Sequence, residues 1–398
     1  GTQHSLQVDP AMTCASALST NPDTGLAFSE VVNRVADGLG GEPGTIAVAF
    51  VSRHHAGTLN RLGAMVRDRK IASRALGVTG ESIVGDGREV EGDPAVSLWA
   101  IRLPETVAIR PLRLTWGPVS NLPLEAQGWG ESNRTVILLG DPFTYPADRL
   151  FEALEKAAPG LRVVGGMASG SNAPGGNRLL LDDEVFPDGA VGLVLDGPVS
   201  IRTVVSQGCR PIGRPMIVTK AEGNVIRELG RRPAIDILRE TYADLDEADQ
   251  ALVREGMHVG LVINEYQETF GAGDFLVRNV MGADDAGGIA ITDTVRVGQT
   301  VQFHVRDAES ADEDLTRMLE RDKVQHPDAP AVGGLLFSCN GRGSRLFDEA
   351  DPDAQAVAQA CGPIPLAGFF AMGELGPVGG KNFVHGFTAS LALFGDAD

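Results

Sequence analysis

The sequence predicts a mixed α/β protein with α+β character, made of two similar halves. Three observations carry this. Short apolar runs rich in Val, Ile, Leu and Phe, each bounded by Gly, Pro or Asp, recur along the chain as buried strands do. Helical patterns separate some runs and Gly-rich turns separate others, so the sheets mix crossovers with hairpins and are not wholly parallel. The runs also fall into a loose unit that recurs four times: strand, helix or irregular stretch, strand ending in a Gly-rich loop, strand.

The first copy takes strands at 45–52 (TIAVAFVS), 75–80 and 95–103, with a helix near 58–73. The second takes 135–142 (TVILLGDP), a helix near 147–158, then 161–166 and 189–197. The third takes 258–265, 275–282 and 300–306. The fourth takes 333–340 (GGLLFSCN), a helix near 353–361, then 364–372 and 386–394. Two copies lie on each side of about Gly213. Between them, Val225, Ile226, Leu229, Ile235 and Leu238 suit short helices, and 244–249 reads as a charged loop.

A chain of 398 residues is long enough for two or three domains. The polar first segment, with no charged-then-apolar order, reads as a flexible leader over 1–25. The two parts then run over 26–215 and 216–398. The 50 glycines are not spaced every third residue, which excludes collagen and points to tight turns.

A net charge of −19 repels phosphate backbones and anionic lipid, so neither nucleic acid nor membrane is expected as a partner. No apolar run reaches the length of a membrane span. The four cysteines form no CxxC pair, which fits a reduced, cytoplasmic protein. No metal or cofactor is expected. GPVGGK at 376–381 has Leu375 where a phosphate-binding loop needs its first Gly and Asn382 where it needs Ser or Thr. No GxGxxG follows the early strands, GMASG at 166–170 has its Ser one place late for a nucleophile elbow, and HExxH is absent.

Four stretches carry more Gly, Cys and charge than packing asks for: SQGCRPIG (206–213), VRNVMGAD (277–284) with HVRDAESAD (304–312), FSCNGRG (337–343) and GFFAMGELGPVGGKNFVHG (368–386). With VVGGMASG and GAVGLVLDG in the first half, and in this order, they resemble the FIST (F-box and intracellular signal transduction) family over roughly 26–395. The resemblance implies an N-terminal and a C-terminal FIST part, a sensory role with small ligands such as amino acids, and a protein partner for signal output. The segment before Gly25 is too short for an F-box, so the resemblance is to a stand-alone FIST protein.

Ligands in α/β proteins sit off the carboxyl ends of strands. On that basis Cys339, Asn340, Gly341 and Arg342 form the first candidate group: the glycine frees backbone N–H groups and Arg342 forks onto a carboxylate. Glu374 would take an ammonium, so the set suits an amino-acid-like zwitterion. Arg278 with Asp307 is a second charge pair, and His385 precedes a strand near the same loops. The bland reading is that these charges make internal ion pairs. Two other function classes stay open: a protein-interaction scaffold, and an enzyme with Cys339 as nucleophile, His385 as base and Glu374 as its orienter.

Overall fold

The computed structural model describes residues 12–117 and 134–396. The fold is mixed α/β as expected, but the expected four copies are corrected to three units, since the strands at 258–265, 275–282 and 300–306 belong to a separate inserted sheet. Three units share one element order, save that the stretch between the first two strands of the second (118–133) lies outside the described residues. The first runs β1 (Thr13–Ser19), α1 (Thr24–Gly38), β2 (Gly44–Ser52), α2 (Leu59–Asp68), β3 (Ala72–Gly80), the hairpin β4 (Ser82–Gly85) and β5 (Arg88–Glu91), then β6 (Val96–Arg102). β2 pairs parallel with β3 and antiparallel with β6, and β6 pairs with β1.

The second unit repeats this with β7 (Ala108–Leu114), β8 (Arg134–Gly140), α3 (Ala147–Ala157), β9 (Arg162–Met167), the hairpin β10 (Leu179–Leu181) and β11 (Glu184–Phe186), and β12 (Ala190–Asp196). Again the first long strand is parallel to the second and antiparallel to the third.

The third unit opens with β13 (Ser200–Gln207) and is then interrupted. The interruption holds β14 (Cys209–Glu222), β15 (Val225–Leu229), β16 (Arg232–Pro233), α4 (Ala234–Asp244), α5 (Glu247–Glu255), β17 (Met257–Val262), β18 (Phe275–Ala283), β19 (Ile289–Ile291) and β20 (Thr300–Arg306). These strands pair in the order β14-β20-β17-β18-β19-β15, and β14 also pairs with β15, which closes them into a barrel. The unit resumes with α6 (Ala308–Gln325), β21 (Gly333–Cys339), α7 (Pro352–Cys361), β22 (Leu366–Ala371), the hairpin β23 (Glu374–Val378) and β24 (Lys381–His385), and β25 (Thr388–Gly395).

Each hairpin completes the sheet of another unit. β4-β5 of the first unit extends the sheet of the third through β22. β10-β11 of the second extends the first through β3. β23-β24 of the third extends the second through β9. The exchange is cyclic.

Strand alternation sends one face of all three sheets into a common core. Ile46, Val48 and Phe50 meet Ile137 and Leu139 and also Leu335 and Phe337 there. Phe50 stacks on Phe369 with ring centroids 5.6 Å apart. The outer faces are covered by helices: Ala47 and Val51 under α1 and α2, Leu138 under α3, Leu336 and Leu391 under α6 and α7. Asp23 starts α1 by accepting from the Leu26 N–H at 2.8 Å, and Asp307 starts α6 in the same way on Ser310.

Several expectations are corrected. Within the expected leader, Thr13–Ser19 is a strand paired with β6 along its whole length, and α1 begins at Thr24. The division expected after residue 215 falls inside β14. Val225–Leu229 is a strand, paired with β14 through a bulged register and with β19, with Ile226 and Leu229 in the barrel core, and only the stretch from Ala234 is helical. The charged stretch at 244–249 contains the start of α5, capped by Asp246.

The shared register leaves a mark in sequence. Gly77, Gly165 and Gly368 occupy the same place in their units, opposite Ala49, Leu138 and Leu336. A Cβ on Gly368 would lie 1.8 Å from the Leu336 carbonyl oxygen. Gly368→Ala is therefore expected to destabilise the fold by about 3 kcal/mol, at the upper end of overpacking costs, read as a lower urea midpoint with an unchanged slope.

Candidate functional site

Three pieces of chain meet at one cavity of about 430 Å³. The loop after β8 and the first turn of α3 supply Pro142, Tyr145 and Asp148. The barrel supplies Val277, Arg278, Asn279, Thr292 and Asp293. The third unit supplies Cys339 and Asn340 after β21, Met372 and Gly373 after β22, and Val384–Phe387 between β24 and β25. Both β8 and β21 open into it from their carboxyl ends, as α/β geometry leads one to expect.

Four of the eight candidate residues line this cavity: Cys339, Asn340, Arg278 and His385. Arg278 donates from Nε to Asp293 Oδ2 at 2.8 Å and from Nη1 to the Val384 carbonyl at 2.9 Å, tying the barrel to β24. The buried His385 pairs its Nε2 with the Gly376 carbonyl at 3.0 Å, leaving Nδ1 without a partner. Burial lowers its pKa to about 4, so the ring is neutral and Nδ1 is an acceptor. At α3, Pro146 contributes no side-chain cap.

The other four candidates are placed elsewhere. Arg342 is fully buried and forks onto Asp353 in the first turn of α7, Nε to Oδ2 at 2.8 Å and Nη2 to Oδ1 at 2.6 Å. Ser338 Oγ donates to the same carboxylate. The expected carboxylate fork is thus used inside the protein. Gly341 turns the chain beneath Phe387, where its N–H points at the Cys339 sulfur and its carbonyl accepts from Arg306. Glu374 is buried, and its Oε2 accepts from the Thr388 N–H and hydroxyl. Asp307 caps α6 and pairs with Arg210, which also holds Asp249, so Arg278 and Asp307 are not partners.

The proposed nucleophilic set is not assembled as a reactive dyad. Burial, with the Glu374 carboxyl adding to it, pushes the Cys339 thiol up and away from the thiolate. His385 commits its Nε2 to the Gly376 carbonyl. Cys209 is likewise pushed up to about 12 by burial. Among the described residues no group of three His, Cys, Asp or Glu side chains could hold a metal, and no helix is long and apolar enough to cross a membrane.

The other Gly-rich motifs have structural work. In SQGCRPIG, Gly208 is where the chain leaves β13 for the barrel, and a Cβ there would lie 2.1 Å from the Phe387 carbonyl oxygen. Phe387 itself has a left-handed backbone, φ 62°, and its ring packs tilted against His258, with centroids 4.3 Å apart. A bulky residue held at such φ is strained by the packing around it.

Residues 45–232 match the FIST N domain and residues 234–377 match the FIST C domain. The chain belongs to the FIST family. FIST domains are sensory signal-transduction domains. An uncharacterized protein of Mycobacterium tuberculosis strain H37Rv is 43% identical over 386 residues, covering 95% of this chain and 98% of the relative. An uncharacterized protein of Mycobacterium bovis is 41% identical over 380 residues, covering 95% and 97%.

In FIST terms the cavity lies where the two domains meet. The FIST N match contains the α3 end of the cavity, the FIST C match contains the barrel wall and Cys339, and Val384–Phe387 follows the end of the C match. Sequence reasoning missed Tyr145, Asp148, Asn279, Asp293 and Phe387. For the α3 end a signal existed: DPFTYPAD follows β8 just as NGRG follows β21, so the repeat itself pointed there.

Two measurements check these assignments. Arg342→Ala strands a buried carboxylate, and is expected to cost about 3–5 kcal/mol of stability, seen as a lower denaturant midpoint. Burial raises the Glu374 pKa from 4.5 to about 8. Across that window the unfolded chain loses the proton and the folded chain keeps it, so this group lowers stability as pH rises. Glu374→Gln, neutral throughout and able to keep the Thr388 contacts, is expected to melt above the parent at pH 8. The gain should shrink toward zero near pH 4.5; a gain independent of pH would contradict the buried neutral carboxyl.

Proposed function

We propose that this FIST protein senses an amino-acid-like metabolite held in the cavity between barrel and body. The observation that carries the reading is the cavity's mixed charged and polar lining. The Arg278 guanidinium, which also holds Asp293, and the uncapped first turn of α3, which carries Asp148, suit a carboxylate. The Asp148 and Asp293 carboxylates, Asn340 and the Nδ1 of His385 are acceptors for an ammonium. Tyr145, Met167, Val277, Met372 and Phe387 offer an apolar bed for a side chain.

The position favours sensing over turnover. A ligand there touches both FIST domains at once, and the nearest nucleophile, Cys339, is held as a thiol. Signal output then passes to a protein partner. The net charge gives no reason to invoke nucleic acid or membrane as that partner.

The test is binding of free L-amino acids to the purified protein, by thermal shift and calorimetry. Arg278→Ala should weaken a hit by roughly 10- to 100-fold, the loss of a charged hydrogen bond worth about 1.5–3 kcal/mol. Cys339→Ser should bind as the parent does. Unchanged affinity in Arg278→Ala and in His385→Gln together would remove the cavity as the site. A covalent adduct on Cys339 that turns over would replace the sensor with an enzyme.

A further inference from the structure

The cavity between barrel and body is short of positive charge. Its charged lining is Asp148, Arg278 and Asp293, two carboxylates against one guanidinium. Arg278 is already engaged, with Nε on Asp293 and Nη1 on the Val384 carbonyl. Asp293 also takes the Thr294 N–H at 2.7 Å. Asp148 has no ion-pair partner among the described residues, so its charge is the one left over.

Two nearly buried side chains add to the need for a donor. His385, 3% exposed, bonds the Gly376 carbonyl through Nε2. That makes Nε2 the donor and leaves Nδ1 an acceptor without a partner. Tyr145, 4% exposed, lines the same space, and its hydroxyl has no hydrogen-bond partner among the described residues. Buried polar groups are normally satisfied, so these two mark places for polar atoms of a ligand.

The deficit is confined to this cavity. A wider hollow of about 780 Å³ opens from it and shares Asp148, Arg278 and Asp293. There Arg149 holds Glu152, Lys381 holds Glu155, and Arg296 adds the charge that balances Asp148. A simple zwitterion brings one ammonium and one carboxylate and leaves the inner deficit in place. A second cationic nitrogen removes it.

The acids also stand on different bodies. Arg278 and Asp293 belong to the barrel, whereas Tyr145 and Asp148 come from the start of α3. A ligand that spans the cavity therefore meets a mixed pair on one wall and an unpaired carboxylate on the other. Resting on the amino-acid-like reading of this cavity, we infer that its ligand is a basic amino acid, with an ammonium or guanidinium at the end of an unbranched side chain. The α-carboxylate goes to Arg278, and the α-ammonium goes to Asp293 with His385 Nδ1. The side-chain cation goes to Asp148 with the Tyr145 hydroxyl beside it. Met167, Val277, Met372 and Phe387 give the methylenes an apolar bed. Such a ligand ties α3 to the barrel by charge at both of its ends.

The experiment is calorimetry of the purified full chain with L-lysine, L-arginine, L-norleucine and L-glutamate. Norleucine keeps the length of the lysine side chain up to its last carbon and lacks the terminal amine. Asp148 is exposed, so the expected preference for lysine over norleucine is about 5-fold, the upper end for an exposed ion pair. The preference should shrink in high salt, and glutamate should bind most weakly. In Asp148→Asn the ratio of lysine to norleucine affinity should fall toward one, and Asp148→Glu should keep it above one. Norleucine binding the parent chain as tightly as lysine would overturn this inference and leave the sensor reading intact. So would a ratio unchanged in Asp148→Asn. Binding of no free amino acid, basic or neutral, would remove both readings.

Discussion

The cyclic exchange of hairpins is the constraint on which the rest of the molecule depends. A sheet that ends on β3, β9 or β22 would expose an unpaired edge and part of an apolar face. Each is completed by a hairpin from a different unit, so no unit holds its own full sheet. The three inner faces then close on one core, in which Phe50 of the first unit packs on Phe337 and Phe369 of the third. Such a core forms only when all three units are present. The FIST N and FIST C matches are therefore divisions of sequence laid over one interleaved body.

The same exchange builds the cavity. β23-β24 belongs to the third unit but extends the second unit's sheet, which carries the β24-β25 turn to the carboxyl end of β8 and the start of α3. The barrel enters at Gly208 and leaves at Asp307, and the two crossings are bonded to each other, Asp307 N–H to the Gly208 carbonyl at 3.4 Å. An insertion tied at one paired crossing needs further anchors to hold its orientation. Arg278 on the Val384 carbonyl is one, and the tilted His258–Phe387 ring contact is another. Both lie at the cavity, so the contacts that orient the barrel are also those that shape the space between it and the body.

Much of the fold was legible because buried strands announce themselves. The runs at 45–52, 135–142 and 333–340 became β2, β8 and β21, and the helices near 147–158 and 353–361 became α3 and α7 within a residue or two. Pairing was not legible. Nothing in TVQFHVR or FLVRNVMG separates a barrel strand from an open-sheet strand, since both bury alternate apolar residues. The β1 segment was missed because TCASALS is small and half polar. It is an edge strand with α1 on one face, and small side chains let that helix approach: a Cβ on Gly38 would meet Ala15 at 2.8 Å.

The site was half legible for a physical reason that concerns Arg342. Gly-rich loops at strand ends serve two purposes, leaving room for a ligand and leaving room for close packing, and the residue types are the same. CNGRG has both the arginine and the glycines of an anion cradle. What decides between them is the partner. Asp353, eleven residues on, stands in the first turn of α7 with Pro352 beside it and no side-chain cap from Asp351. An acidic residue at that position is favoured by the helix end and also free to receive a guanidinium. A full fork then leaves Arg342 little capacity for a ligand, with only Nη1 unpartnered and the whole side chain out of solvent. Arg278 looks less distinctive in sequence, on a strand between Val277 and Asn279. Because it belongs to the inserted barrel and reaches a carbonyl on the body, its guanidinium stands at the seam between the two, where a ligand can meet it.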